Sequence, residues 1–156
     1  MSTLYVDNLQ PNLGSGVHAA GHVVQVVSTS SNTSTAMGTA NTWTAATDLS
    51  VSITPKFSNS KIMIIANVDF DANAANRLQW FTIFRDSTNL GDAVNGFSAN
   101  VSAGSRLQGV AGMNYLDSPN TTSLTTYYVY SKNNGTSTYI NLYGSKSTIT
   151  VMEIAQ

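Results

Sequence analysis

Cysteine is absent from this 156-residue chain, which excludes both a disulfide framework and a thiolate metal site. Charge is almost as scarce. Asp, Glu, Lys and Arg make up 10 % of the residues, against roughly 25 % in an average soluble protein. The formal net charge is −1, and the seven basic residues are scattered from Lys56 to Lys146. Such a chain offers no electrostatic footprint for nucleic acid or for anionic lipid. Its opening residues lack the basic start and apolar stretch of a signal peptide, and no apolar run approaches the roughly 20 residues of a membrane span. The expectation is a protein without membrane insertion that stays in the cytoplasm where it is made until something else carries it out.

Ser, Thr, Asn, Gly and Ala fill the gap left by charge, giving a surface rich in hydroxyls and amides. The length fits one domain that buries a real core. Asn-x-Ser/Thr sequons begin at Asn32, Asn100, Asn120 and Asn134. In so Ser/Thr/Asn-rich a chain without an export signal they are expected by chance.

Strand signals dominate. Residues 49–54 alternate apolar and hydroxyl side chains and stop at Pro55, the pattern of a half-buried strand. In residues 61–71, Ile62, Ile64, Ala66, Val68 and Phe70 share one face. The opposite face is polar at Lys61, Asn67, Asp69 and Asp71, but Met63 and Ile65 interrupt it, which points to partial cover. Residues 126–132 and 136–143 are rich in β-branched and aromatic side chains and flank Asn133-Asn134-Gly135. Asn-Gly tolerates the positive φ of a type I′ turn, so a β-hairpin is predicted there. Further strands are expected at 22–28, 42–46, 78–85 and 147–155, with turns at 58–60, 86–92 and 117–120. No segment carries a capped 3.6-residue period, so helix should be minor. About eight strands with short turns predict an all-β fold, an antiparallel β-sandwich of jelly-roll type spanning residues 22–156. Residues 1–21 mix turn formers with single apolar residues and read as an extended N-terminal arm. Within it Leu4, Tyr5, Val6 and Leu9 are candidate anchors on a neighbouring molecule.

Few residues can carry chemistry. His18 and His22 lie four apart, which in extended chain separates them by roughly 13 Å. Only rings contributed by several subunits around a threefold axis would converge on an ion. Asp69 and Asp71 share a strand face and, with Asn73, are a possible calcium site or carboxylate pair. The spacing of a calcium loop is missing, however, and exposed Asp at a strand end is common. A Ser or Thr nucleophile would need His and acid partners that are not placed for it. No enzyme activity and no cofactor are expected.

The aromatic residues say more. Tyr128 and Tyr130 fall on one face of their predicted strand, and Tyr139 and Tyr143 on one face of its hairpin partner. Such a platform fits a subunit interface, where Tyr is enriched; it also fits a core or a glycan-stacking surface. Residues 80–84 place apolar side chains on both strand faces, so Trp80, Phe81 and Phe84 are candidate interface residues as well. Residues 86–100 and 111–122, rich in Gly, Asn and Ser, are candidate variable loops.

Several segments, taken in order, carry a family resemblance. They are Gly21 to Val27, Leu49 to Pro55, Ser60 to Ile64, Phe84 to Thr88, Tyr115 to Thr122 and Ser147 to Ile154. Together they resemble a module common in tail-fibre-like and other virion proteins of marine and cyanobacterial tailed phages, and Ser2 to Asp7 resembles the start of many such proteins. The resemblance implies a β-sandwich that forms a homotrimer on the surface of the virion and serves attachment to the host or particle structure. Its partners would be copies of itself, other tail or capsid proteins, and host cell-surface glycan. A capsid decoration protein that stabilises the head is the alternative, and a lectin-like glycan-binding module the distant third.

Overall fold

The computed structural model describes residues 19–156. Leu4, Tyr5, Val6, Leu9 and His18 lie outside the described residues. Eleven strands follow one another: β1 (Val23–Ser31), β2 (Thr35–Ala36), β3 (Thr44–Ile53), β4 (Lys61–Ala72), β5 (Arg77–Arg85), β6 (Thr88–Asn89), β7 (Ser98–Ser102), β8 (Leu107–Asp117), β9 (Thr125–Asn133), β10 (Thr138–Ile140) and β11 (Ser147–Ile154). There is no helix among the described residues.

The strands form two antiparallel sheets packed face to face, the predicted β-sandwich. In the first sheet β4 is the central strand. One edge of β4 pairs with β8 along its length, from Ile62↔Asp117 to Ala72↔Leu107. The other edge pairs first with β11 and then with β10. β1 lies outside β11, and β2 outside β10. In the second sheet β9 lies between β3 and β5, while β7 and β6 pair with successive parts of β5.

The period-two pattern of residues 61–71 explains why β4 is central. Ile62, Ile64, Ala66, Val68 and Phe70 are all buried, together with Ile149 and Val151 of β11 and Met113 of β8. Facing them are Val51 and Ile53 of β3, Phe81 and Ile83 of β5, and Val129 of β9. Burying each of these side chains larger than alanine stabilises the fold by about 1.5–3 kcal/mol. The rings of Phe70 and Phe81, centroids 5.4 Å apart, meet across the two sheets.

Three expectations are corrected by the topology. Residues 42–46 and 49–54 belong largely to a single strand, β3, whose register with β9 shifts between Ala45 and Ser50. There Asp48 takes a left-handed φ of 56°, which bends the strand without ending it. The predicted hairpin does not exist: β9 pairs with β3 and β5 in the second sheet, whereas β10 pairs with β4 and β2 in the first. The connection between them crosses from sheet to sheet, and its positive φ falls on Ser137 (68°). Side-chain bonding accounts for this. Buried Asn133 donates from Nδ2 to the Met37 carbonyl and to Thr138 Oγ1, while its Oδ1 accepts the Gly135 amide at 3.1 Å. Asn134 Oδ1 accepts the Leu78 amide at 2.9 Å. Both asparagines therefore tie the crossover to neighbouring strands. Finally, part of the first predicted variable loop and most of the second are strand: 88–89 lies in β6, 98–100 in β7 and 111–117 in β8.

Candidate functional site

The outer face of the second sheet gathers most of the aromatic residues singled out in the sequence. Alternation along β5 turns Trp80 and Phe84 outward, and along β9 it turns Tyr128, Tyr130 and Lys132 outward. The register places Trp80 opposite Lys132, Thr82 opposite Tyr130, and Phe84 opposite Tyr128. Phe84 stacks on Tyr130 at 4.1 Å between centroids, and Tyr128 meets Tyr130 edge-on at 6.4 Å. The three rings are each only half-buried.

Beside them Lys132 lies between two indoles, its ammonium 4.7 Å from the Trp43 ring and 4.9 Å from the Trp80 ring. It also donates to the Val94 carbonyl, while Trp43 Nε1 donates to the Ala93 carbonyl at 3.1 Å. Together these bonds draw the 92–96 loop over one end of the face, so part of the cover required by β5 comes from the chain itself.

The remaining candidates do not join this platform. Phe81 points inward and is fully buried in the core. Tyr139 lies in β10 of the other sheet, opposite Asp71. Tyr143 is highly exposed and lies under the Arg106 guanidinium at 4.7 Å. The four-tyrosine platform thus divides into a Phe84–Tyr128–Tyr130 cluster on one sheet, Tyr139 on the other, and Tyr143 in the turn between β10 and β11, because β9 and β10 are not hairpin partners.

The acidic residues are taken up by structural bonds. Asp71 is not an exposed strand-end carboxylate: it is wholly buried, and Arg106 holds both its oxygens. Asp69 on the same face has its carboxyl pushed above the ordinary range by burial and by the neighbouring Asp71 charge, against the opposing effect of a Ser145 hydrogen bond. Asn73 is bound through its backbone amide to the Ser137 carbonyl at 2.7 Å. Asp117 of β8 accepts from Arg85 Nη1 at 2.8 and 2.9 Å and from the Tyr127 hydroxyl at 2.8 Å. Burial, and then the bond to that carboxylate, pushes the Tyr127 phenol well above its ordinary pKa. Glu153 is fully buried beneath the 54–60 turn, accepting the amides of Lys56 (2.8 Å) and Phe57 (3.1 Å) and the Gln25 side chain (2.6 Å). Burial alone would raise its carboxyl; the hydrogen bonds, Gln25 foremost, outweigh that and hold it below the ordinary range. Each of these carboxylates ties separate strands or turns together.

Among the described residues no group of three or more His, Asp or Glu side chains is placed to hold a metal ion. No helix of the described residues is long and apolar enough to cross a membrane. The backbone of His22 pairs with Ala155, beside the C-terminus.

A second surface completes the inventory. On the outer face of the first sheet, register aligns Val26, Met152, Met63 and Leu116 in one row across β1, β11, β4 and β8. Val26 and Leu116 are 56 % and 47 % exposed, so the row is open at both ends. Met63 was legible as an interruption of a polar face; its three row-mates were not, because only the strand order brings them level. No family model matches this chain, and no curated protein matches it.

Proposed function

We propose that this protein is a non-enzymatic structural component of a tailed bacteriophage virion, a trimeric tail-fibre-type surface protein that contributes to host attachment. One observation carries the reading: the conspicuous uncommitted groups are aromatic and apolar, whereas Asp71, Asp117 and Glu153 are spent on internal bracing. The Phe84–Tyr128–Tyr130 cluster has the composition of a subunit interface, with aromatic rings at its centre and Ser and Thr around it. The strand order β1-β11-β4-β8 over β3-β9-β5-β7 supports a jelly-roll form of the sandwich. The family resemblance of the segments from Gly21 to Ile154 supports the virion assignment.

Immunogold labelling of particles of the encoding phage, with antibody raised against this chain, tests the reading. Label at the tail is the expected result. Label confined to the head would replace attachment with capsid decoration, and unlabelled particles would remove the virion assignment. Purified protein is expected to release no reducing sugar from host polysaccharide; release would restore an enzyme.

A further inference from the structure

Among the described residues β8 has one hydrogen-bonded neighbour, β4, with which it runs in unbroken register from Leu107 to Asp117. Its other edge carries one of the usual defences against strand addition, an inward-turned charge, and that only at its last residue. Residues 107–117 contain no Pro, Lys or Arg, and the ladder has no bulge. The single charge, Asp117, is turned inward onto Arg85 and Tyr127. Val110 is 65 % exposed, and Leu116 is where the apolar row Val26–Met152–Met63–Leu116 stops. An edge this long and uncharged is a template for another strand.

The point at which the chain enters the sandwich indicates the donor. The Gly21 amide donates to the Ala155 carbonyl at 2.8 Å, and the Ala155 amide to the His22 carbonyl at 2.9 Å. The chain therefore enters at the Ile154 end of the first sheet. Ile154 pairs with Lys61, and the adjacent Ile62 pairs with Asp117, so β8 terminates at that same end. From β1 to β8 is three strand spacings, roughly 14 Å. The eighteen residues before Ala19 reach up to about 60 Å when extended, enough to leave their own sandwich and cross a neighbour's edge.

We propose that the β8 edge accepts residues 3–9 of a neighbouring copy as an added strand. Leu4 and Val6, two apart, extend the apolar row beyond Leu116. Tyr5 then falls on the opposite side, beside Tyr115, whose ring lies 5.4 Å from Phe97. Arm and edge are different surfaces, so the contact is head-to-tail, the kind that closes into a ring when the rotation permits. The proposal rests on the self-association reading above and supplies a contact for it.

Three proteins test it: the full chain, residues 19–156, and the full chain carrying Leu4→Asp and Val6→Asp, which leaves the sandwich untouched should the truncation fail to fold. Light scattering at micromolar concentration should give the full chain a mass threefold that of either variant. Amide exchange in β8 should be at least ~10-fold slower in the full chain, with β4 and β9 unchanged. Variants that keep the oligomer mass overturn the arm contact and leave self-association standing on the aromatic face. A full chain of single-subunit mass with protected β8 places the arm on its own sheet and overturns the neighbour. Single-subunit mass with fast β8 exchange overturns both readings.

Discussion

The Tyr127 hydroxyl donates a 2.8 Å hydrogen bond to Asp117 across the sandwich, joining β9 of one sheet to β8 of the other. Arg85 of β5 completes the brace on the same carboxylate. Tyr127→Phe removes the donor and leaves part of a buried acceptor unmatched, a loss of about 1–3 kcal/mol. For a chain of this size the Tm should fall by roughly 3–10 °C, measurable by calorimetry. An unchanged Tm would mean the brace is idle.

Glu153 gives the fold a defined acid response. Its folded pKa lies below the ordinary 4.5, so its ionised form stabilises the native state above that value. The contribution is lost as pH falls through the folded pKa. Asp69 has the opposite sign: its raised folded pKa means that the native state takes up a proton more readily than the unfolded chain, which offsets part of the acid loss. Glu153→Gln should therefore lower stability at neutral pH and flatten its decline below about pH 5, as read from urea midpoints across pH. A parallel downward shift at every pH would contradict this assignment.

Lys132 touches both tryptophans of the chain. Lys132→Met keeps an unbranched side chain there but removes the cation and its bond to the Val94 carbonyl. A cost of about 1–2 kcal/mol is expected, with a changed intrinsic tryptophan emission as the 92–96 loop loosens. Emission identical to that of the parent protein would show that the loop is held by other contacts.

Two Asn-Gly pairs should respond differently to alanine. Gly96 has φ 63°, and a Cβ there would lie 2.3 Å from the Phe81 carbonyl oxygen, so Gly96→Ala should cost at least ~2 kcal/mol. At Gly135 the nearest atom would be Arg77 Nη1 at 2.7 Å, the movable tip of a side chain. Gly135→Ala should cost less than about 1 kcal/mol. Equal losses would restore a left-handed turn at Gly135.

The contrast at Gly135 also shows where the sequence was legible. Period-two alternation identified β4 and the second half of β3 with their inward faces, since burial on one side of a strand leaves a direct mark on composition; in β5 apolar residues on both faces hid that Phe81 is the inward one. The Asn133-Asn134-Gly135 signal misled, because a turn motif reports local φ preference and not the sheet to which the next strand belongs. β8 escaped notice because Gly109, Gly112 and Asn114 dilute its pattern, although its pairing with β4 is unbroken. Half of the aromatic platform was correctly grouped for the same reason that the other half was not: Tyr128 and Tyr130 share one strand, whereas their grouping with Tyr139 and Tyr143 required the hairpin. Asp71 read as exposed because its partner Arg106 comes from a loop 35 residues away.

On the proposed function, this sandwich works by being built into a particle. Quantitative mass spectrometry of separated heads and tails, from the tailed phage that the proposed function takes to encode this chain, is the direct test. The account predicts the chain in the tail fraction, in copies that are a multiple of three per particle. Its absence from both fractions, in a preparation where the other structural proteins are recovered, would contradict it.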